Sequence, residues 1–333
     1  MRFFLRKQVD THEASISSIA KQNNTNAHKL TRAYKENFSG FNDYVKAHQE
    51  SFHNQTFVFP ENFGTNMAID ETGLFQGDLY TIIYNKDNRG KKGSLAAIIK
   101  GTKANIITDA ISKQVDMVKR INIEEITLDL SNSMDWITRE IAPNAIKTFD
   151  RFHVEKLITE AVQQIRIKYR WEAIERENKL KNDENVFRLP RYSNGDSPKQ
   201  LLARSRYLLF KRKSQWTSQQ KQRAKLLFQE YPLLAKAYRY YMEFKEVYKM
   251  NKLSAKDYLL NWIRRVKTSK IAPLVTVAKT IESHLGGIIN YLENRSTNAS
   301  IENFNRKLKS LLERVRGVRN KDLFFYRIIN LYA

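Results

Sequence analysis

Residues 66–90, NMAIDETGLFQGDLYTIIYNKDNRG, decide the fold. Residues 66–70 and 78–85 are runs of strand length, rich in β-branched and aromatic side chains. Gln76-Gly77 and Asn88-Arg89-Gly90 supply the turn signals after them. The first run carries Met67, Ala68 and Ile69 straight into Asp70 and Glu71. A carboxylate at the end of a buried strand must be paired, hydrogen-bonded, exposed at the strand's mouth, or bound to metal.

Toward the C-terminus the pattern continues. SLAAIIKG (94–101) reads as a third strand, and TKANIITDAISKQVDMVKR (102–120) has helical spacing through Ile106, Ile107, Ala110, Ile111 and Val115. EEITLDLS (124–131) is a fourth strand, SMDWITREIAP a helix stopped by Pro143, and AIKTFD a fifth strand ending at Asp150. Three strands, helix, strand, helix, strand is an α/β order with a mixed five-stranded sheet. After His153 the strand signals fade. VEKLITEAVQQIRIKYRWEAIERENKL reads as one long basic helix, YSNGDSPKQ as a loop, and further helices follow to IESHLGGIINYLENR. The segment STNASIENFNRKLKSLLERVRGVRNKDLFFYRIINLY then reads as a helix with a polar start, a break at Gly317 and a closing apolar helix.

Toward the N-terminus the first sixty residues read as helical and polar. In SISSIAKQNNTNAHKLTRAYKEN (15–37), Ile16, Ile19 and Ala20 precede a polar break, and Leu30, Ala33 and Tyr34 share one face beyond it. Asn26 is placed to cap the second helix, and Asn24 suits a turn with positive φ. The spacing fits a helix-turn-helix that turns His28, Lys29, Arg32 and Lys35 toward DNA. An ordinary helical hairpin with solvated lysines fits it as well.

Composition bounds the partners. With 58 Lys+Arg against 35 Asp+Glu, a net charge of +23 attracts polyanions, nucleic acid first and an anionic membrane second. Hydrophobic content of 41% and charged content of 28% fit a globular chain. No apolar run approaches the roughly 20 residues that span a bilayer, and MRFFLRKQVD lacks the pattern of a signal peptide. The absence of cysteine excludes disulfides, thiol catalysis and cysteine-ligated zinc. A cytoplasmic, nucleoid-associated protein is expected.

Three acids stand out. Asp70 and Asp129 end the strands MAID and ITLD alike, and Glu302 sits just inside a helix start, with Asn305, Arg306 and Lys309 on its face. Singly, each has a structural explanation: Asp70 as a turn cap, Asp129 as a helix cap, Glu302 as a first-turn acid favoured by the helix dipole. Together, in so basic a chain, they fit metal-dependent phosphodiester chemistry. Mg²⁺ takes oxygen ligands, two ions about 4 Å apart activate a nucleophile and stabilise a leaving oxygen, and Lys and Arg hold the DNA backbone. NRGKKGS lacks the spacing of a phosphate loop, so Lys86, Arg89, Lys91 and Lys92 read as a solvated turn. Tyr169, Trp171, Trp216 and Trp262 read as core or as platforms for an unpaired base.

The stretches AIDETGLFQGDLYTIIYNKD, EEITLDLSNSM, AIKTFDRFHVEKL and STNASIENFNRKLKSLLERVRGVRN carry a resemblance over essentially the whole chain. The chain resembles the DDE transposases of the ISL-three type of bacterial insertion sequence, and within them a subgroup in which SGF, DRFHV and RIKYRWEAIE recur. That resemblance implies an RNase H-like sheet interrupted by a large all-α insertion. Its divisions would be a helix-turn-helix-like segment over 1–60, the core over 61–153, the helical insertion over 154–290 and the closing core helices over 291–333. It implies Asp70, Asp129 and Glu302 as the catalytic acids, holding two Mg²⁺ or Mn²⁺ ions. Asp150 and His153 match a D-x-x-H signature, read here as playing a supporting role rather than ligating metal directly. Arg306, Lys309, Arg314, Arg316 and Arg319 would join Lys29, Arg32 and Lys35 in contacting DNA. The implied activity is cleavage at the element's ends and strand transfer into target DNA, by a homo-oligomer on DNA. Relatives often carry a cysteine-rich zinc-binding segment, lacking here; either the end-recognition module is reduced to the helix-turn-helix or a separately encoded N-terminal subunit supplies the rest. A plain nuclease of the same fold and a non-catalytic DNA-binding descendant are the rival readings.

Overall fold

The computed structural model describes residues 2–182, 190–314 and 321–333. Two compact units divide the chain: Met1–Asp150 with Ser296–Ala333, and Arg151–Arg295.

The first unit opens with α1 (Arg2–Thr11), α2 (Ile16–Gln22), α3 (Ala27–Ala33), α4 (Phe41–Ala47) and α5 (Gln49–Asn54). Local chemistry sets these boundaries. The Ser15 side chain accepts from Ser18 N–H to start α2, and Asn26 accepts from His28 and Lys29 N–H to start α3. Asn24 holds φ +49° in the turn between them. A π-helical turn, Tyr34–Phe38, continues α3 until Gly40 enters the left-handed region and lets α4 begin.

Then come β1 (Thr56–Val58), β2 (Asn66–Leu74), β3 (Asp78–Asn85), β4 (Leu95–Lys100), α6 (Ala104–Gln114), α7 (Met117–Ile121), β5 (Glu125–Leu128), α8 (Asn132–Ile141) and β6 (Ile146–Phe149). The sheet has six strands, ordered β1-β4-β3-β2-β5-β6, rather than the five expected. The extra strand, TFV, pairs antiparallel with β4 at the edge and is too short to show a period. β2 to β4 form an antiparallel meander, while β2–β5 and β5–β6 are parallel. The expected single helix over 102–120 is two, because Val115 adopts φ −109°, ψ 117° between α6 and α7. At the end of β6, Asp135 of α8 pairs with Lys147 and with Arg139. Partial burial works against the Asp135 carboxylate, yet both cations outweigh it and hold its pKa below the ordinary value.

Two helices after the second unit complete the first: α16 (Ala299–Arg314) and α17 (Lys321–Tyr332), with α9 to α15 reserved for the helices between. Ile301, Phe304, Leu308 and Leu311 recur at helical spacing on α16 and pack with Ala68, Leu74, Ile82 and Tyr84 of the sheet. Phe304 has the rings of Tyr84 and Tyr332 at 5.1 and 5.0 Å. The N-terminal helices share this core through Val9, Ile19, Leu30 and Tyr34. Arg327 of α17 donates to the carbonyls of Val9, His12 and Ala14.

The second unit contains α9 (Arg151–Lys181), α10 (Pro198–Arg204), α11 (Ser218–Glu230), α12 (Pro232–Glu246), α13 (Lys252–Thr268), α14 (Ala272–Ser283) and α15 (Leu285–Asn294). Two tryptophans serve its core. Trp262 donates to Tyr240 O and Trp216 to Leu208 O, each at hydrogen-bond distance and buried. Trp171 is exposed, and Tyr169 meets the Tyr231 ring at 4.8 Å. Buried Asp196 pairs with both Arg204 and Arg223.

Candidate active site

Sheet register brings three acids into one row. β2 pairs with β5 in parallel over three positions, the last being Ala68 opposite Thr127. Continued two residues past the end of that pairing, the same offset sets Asp70 opposite Asp129. β5 and β6 pair up to Leu128 opposite Phe149, and Asp150 N–H donates to Leu128 O at 2.9 Å, so Asp150 is level with Asp129. Asp70 does not end its strand. β2 runs on to Leu74, with Asp70 opposite Ile82 of β3, and only the parallel pairing with β5 stops before it. Alternation puts Asp70 on the face of Ala68 and Leu74, the face that α16 covers. Asp129 does not cap α8, because the Ser131 side chain accepts from Met134 N–H and does so instead.

Two asparagines of the α16 segment meet this row, and the sequence pattern did not assign them a role. Asn298, just ahead of α16, donates its backbone N–H to Asp150 Oδ2 and its side-chain N–H to Asp129 Oδ1, each at 2.9 Å. Its carbonyl accepts from Glu302 N–H at 2.9 Å. Asn305 donates Nδ2–H to Asp70 Oδ2 at 2.7 Å. Asn298 is 0% exposed and Asn305 5%. Among the described residues, Asn298 Oδ1 and Asn305 Oδ1 are buried without a hydrogen-bond partner. Positions 298, 302 and 305 stand four and then three apart, on one helix face. That spacing was the available signal.

Glu302 lies in the first turn of α16 and is exposed. It lines a cavity of about 260 Å³ with Asp70, Glu71, Thr72, Asn305, Arg306 and Lys309. Arg306 and Lys309, both exposed, thus line the same cavity as three acids, Asp70, Glu71 and Glu302. Glu71 N–H donates to Asp70 Oδ1 at 2.8 Å. Partial burial first, and the Asp70 charge second, raise the Glu71 carboxyl above its ordinary value. Among the described residues, no three His, Cys, Asp or Glu side chains approach closely enough to hold a metal ion as they stand. The row nevertheless offers what a hard cation takes, carboxylate oxygens with two amide oxygens beside them that lack partners among the described residues.

Other expected residues fall elsewhere. His153 belongs to the second unit, on α9, with the Phe152 ring at 5.7 Å. Lys29 and Arg32 are exposed on α3, whereas Lys35 is half-buried, 5.3 Å over the Phe41 ring. Lys86 is no free turn cation. It lies 3.6 Å from Glu125, and desolvation lowers its pKa despite that neighbour. Arg316 and Arg319 lie outside the described residues, as do the Gly317 break and the Arg314 side chain. Among the described residues no helix is long and apolar enough to cross a membrane.

The family model DDE_Tnp_ISL3, described as a transposase, matches residues 67–328. The chain is similar to the transposase for insertion sequence element IS1001 of Bordetella parapertussis, with 22% identity over 264 residues. That match covers 79% of this chain and 59% of the relative, so the chain spans well under two thirds of the relative's length. No solved structure matches it significantly. The matched span contains Asp70, Asp129, Asp150 and Glu302 together, and the chain belongs to the ISL3-type family of DDE transposases.

Proposed function

We propose that this chain cleaves DNA at the ends of an insertion sequence and joins the freed 3′-hydroxyl to target DNA, with Asp70, Asp129 and Glu302 as the acids of the reaction. The observation that carries the reading is the row of Asp70 and Asp129 at adjacent parallel strands, with Glu302 on the cavity that Asp70 lines. Family membership supports the same reading. The strand order of a meander followed by parallel crossovers is that of an RNase H-like core, and that fold is part of the proposal.

Asp70, Asp129 and Glu302 would hold divalent Mg²⁺ or Mn²⁺, which lowers the pKa of attacking water and stabilises the leaving oxygen. The protein's own groups do the rest. Arg306 and Lys309 offset phosphate charge beside the acids and position the scissile strand. Water attacks the phosphodiester in line, the 3′-oxygen leaves, and that hydroxyl repeats the attack on target DNA. Lys29 and Arg32, exposed on a helix whose start Asn26 caps, would read or grip the element's end. Basic helices of the second unit would hold further DNA. Oligomerisation on DNA and a separately encoded subunit are further parts of this proposal.

The test is incubation of the purified chain with labelled DNA bearing the terminal repeats that flank its coding sequence, with Mg²⁺ or Mn²⁺. Nicking at the repeat followed by joined product is the expected result. Cleavage without joining would reduce the reading to a nuclease, and no cleavage with any flanking-frame product added would sink it.

A further inference from the structure

The acids of the sheet are occupied before any ligand arrives. Asp70 receives an amide N–H from Asn305, and Asp129 one from Asn298. Asn298 also takes Asp150 as the acceptor for its backbone N–H and anchors Glu302 through its carbonyl. One residue therefore touches two acids of the row and fixes the helical start that carries the exposed acid. Both asparagines are more than nine-tenths buried, and each keeps one amide oxygen with no partner among the described residues. A buried polar atom without a partner is costly, so two on the residues that hold these acids call for a reason.

We infer that Asn298 and Asn305 are the positioning residues of this site, holding Asp129 and Asp70 oriented, with their free amide oxygens turned to use when a divalent cation enters. The inference rests on the metal-dependent reading given above. Donation from a neutral amide fixes the carboxylate's rotamer without adding charge. An aspartate in the same place would have no N–H to give and would repel its partner. Glutamine, one methylene longer, would not fit the same distance. The arrangement also divides the labour among the acids: Asp150 accepts the Asn298 backbone N–H at the head of α16, while Asp70 lines the cavity beside Glu302.

The test uses the full chain, with Asn305→Ala, Asn305→Asp and Asn298→Ser, each verified as folded by circular dichroism. Asn298→Ser keeps the backbone donor and carbonyl while removing the amide. Melting temperatures are measured at pH 7 with and without Ca²⁺ alone. Asn305→Asp replaces the N–H that orients Asp70 with a second carboxylate. Ca²⁺ should raise the melting temperature of Asn305→Asp more than that of the wild type, and that of Asn305→Ala and Asn298→Ser by half the wild-type shift or less. Variants that all keep the wild-type Ca²⁺ shift would overturn the inference. A wild type that shows no Ca²⁺ shift would instead overturn the metal-dependent reading on which it rests.

Discussion

Replacing Asp150 separates a structural acid from a reactive one. Its Oδ2 accepts the Asn298 backbone N–H at 2.9 Å, and both residues are buried, Asp150 at 4% exposure. Asp150→Ala removes the acceptor and leaves a buried N–H at the head of α16 with nothing to replace it. Such a group costs about 1–3 kcal/mol. For a unit of this size, 2 kcal/mol corresponds to a drop in melting temperature of roughly 4–8 °C. Asp150→Asn keeps an oxygen at nearly the same place and should cost less than about 1 kcal/mol, so its melting curve should lie close to wild type. The assay is urea and thermal unfolding of both variants, with DNA cleavage measured on the same preparations below their melting range. Asp150→Asn should cleave, because its task is to accept an N–H rather than to carry charge. If Asp150→Asn melts like wild type but abolishes cleavage, the carboxylate acts on the reaction itself and the reasoning is refuted.

Three further outcomes follow from the same geometry. Phe304→Ala removes a ring packed between Tyr84 and Tyr332, and should destabilise by about 3–5 kcal/mol while weakening cleavage through the displaced Glu302 helix; unchanged urea stability would contradict the packing. Asp135 has a depressed carboxyl pKa, so its stabilisation is complete above the ordinary carboxylate value and is lost as pH falls through the lowered one. Asp135→Asn should therefore be less stable than wild type at pH 7, by about 1.5–3 kcal/mol, with the gap closing in strong acid; a gap independent of pH would refute the ion pair's role. Arg306→Ala with Lys309→Ala should weaken DNA binding uniformly across sequences and reduce the slope of log affinity against log salt by about 2, as fluorescence anisotropy would show.

The legible parts of the molecule were those with local periodicity. The meander from β2 to β4 shows as runs of alternating or continuous apolar residues with turn residues between them, and α16 shows its face through Ile301, Phe304, Leu308 and Leu311. Asn26 and Asn24 were legible because caps and turns depend on one residue's own side chain or backbone. What escaped was set by distant partners. The three residues of β1 become a strand only because β4 offers an edge. Asp70 looked terminal because its parallel neighbour stops there, although its antiparallel neighbour carries β2 on to Leu74. Asn298 and Asn305 meet their aspartates across 169 and 235 residues of sequence, and no local pattern records such a bond. Lys35 was expected at a DNA-facing surface, yet the π-helical turn carries it over Phe41.

The central claim concerns which acids act on DNA. The direct measurement is cleavage of end-bearing DNA with Mn²⁺ by Asp70→Asn, Asp129→Asn and Glu302→Gln, beside Asp150→Asn and wild type, all confirmed as folded by circular dichroism. The expected result is loss of cleavage in the first three and its retention in Asp150→Asn. Wild-type cleavage by any of the first three would contradict the assignment of that acid, and cleavage lost only in Asp150→Asn would transfer the second acid from Asp129 to Asp150.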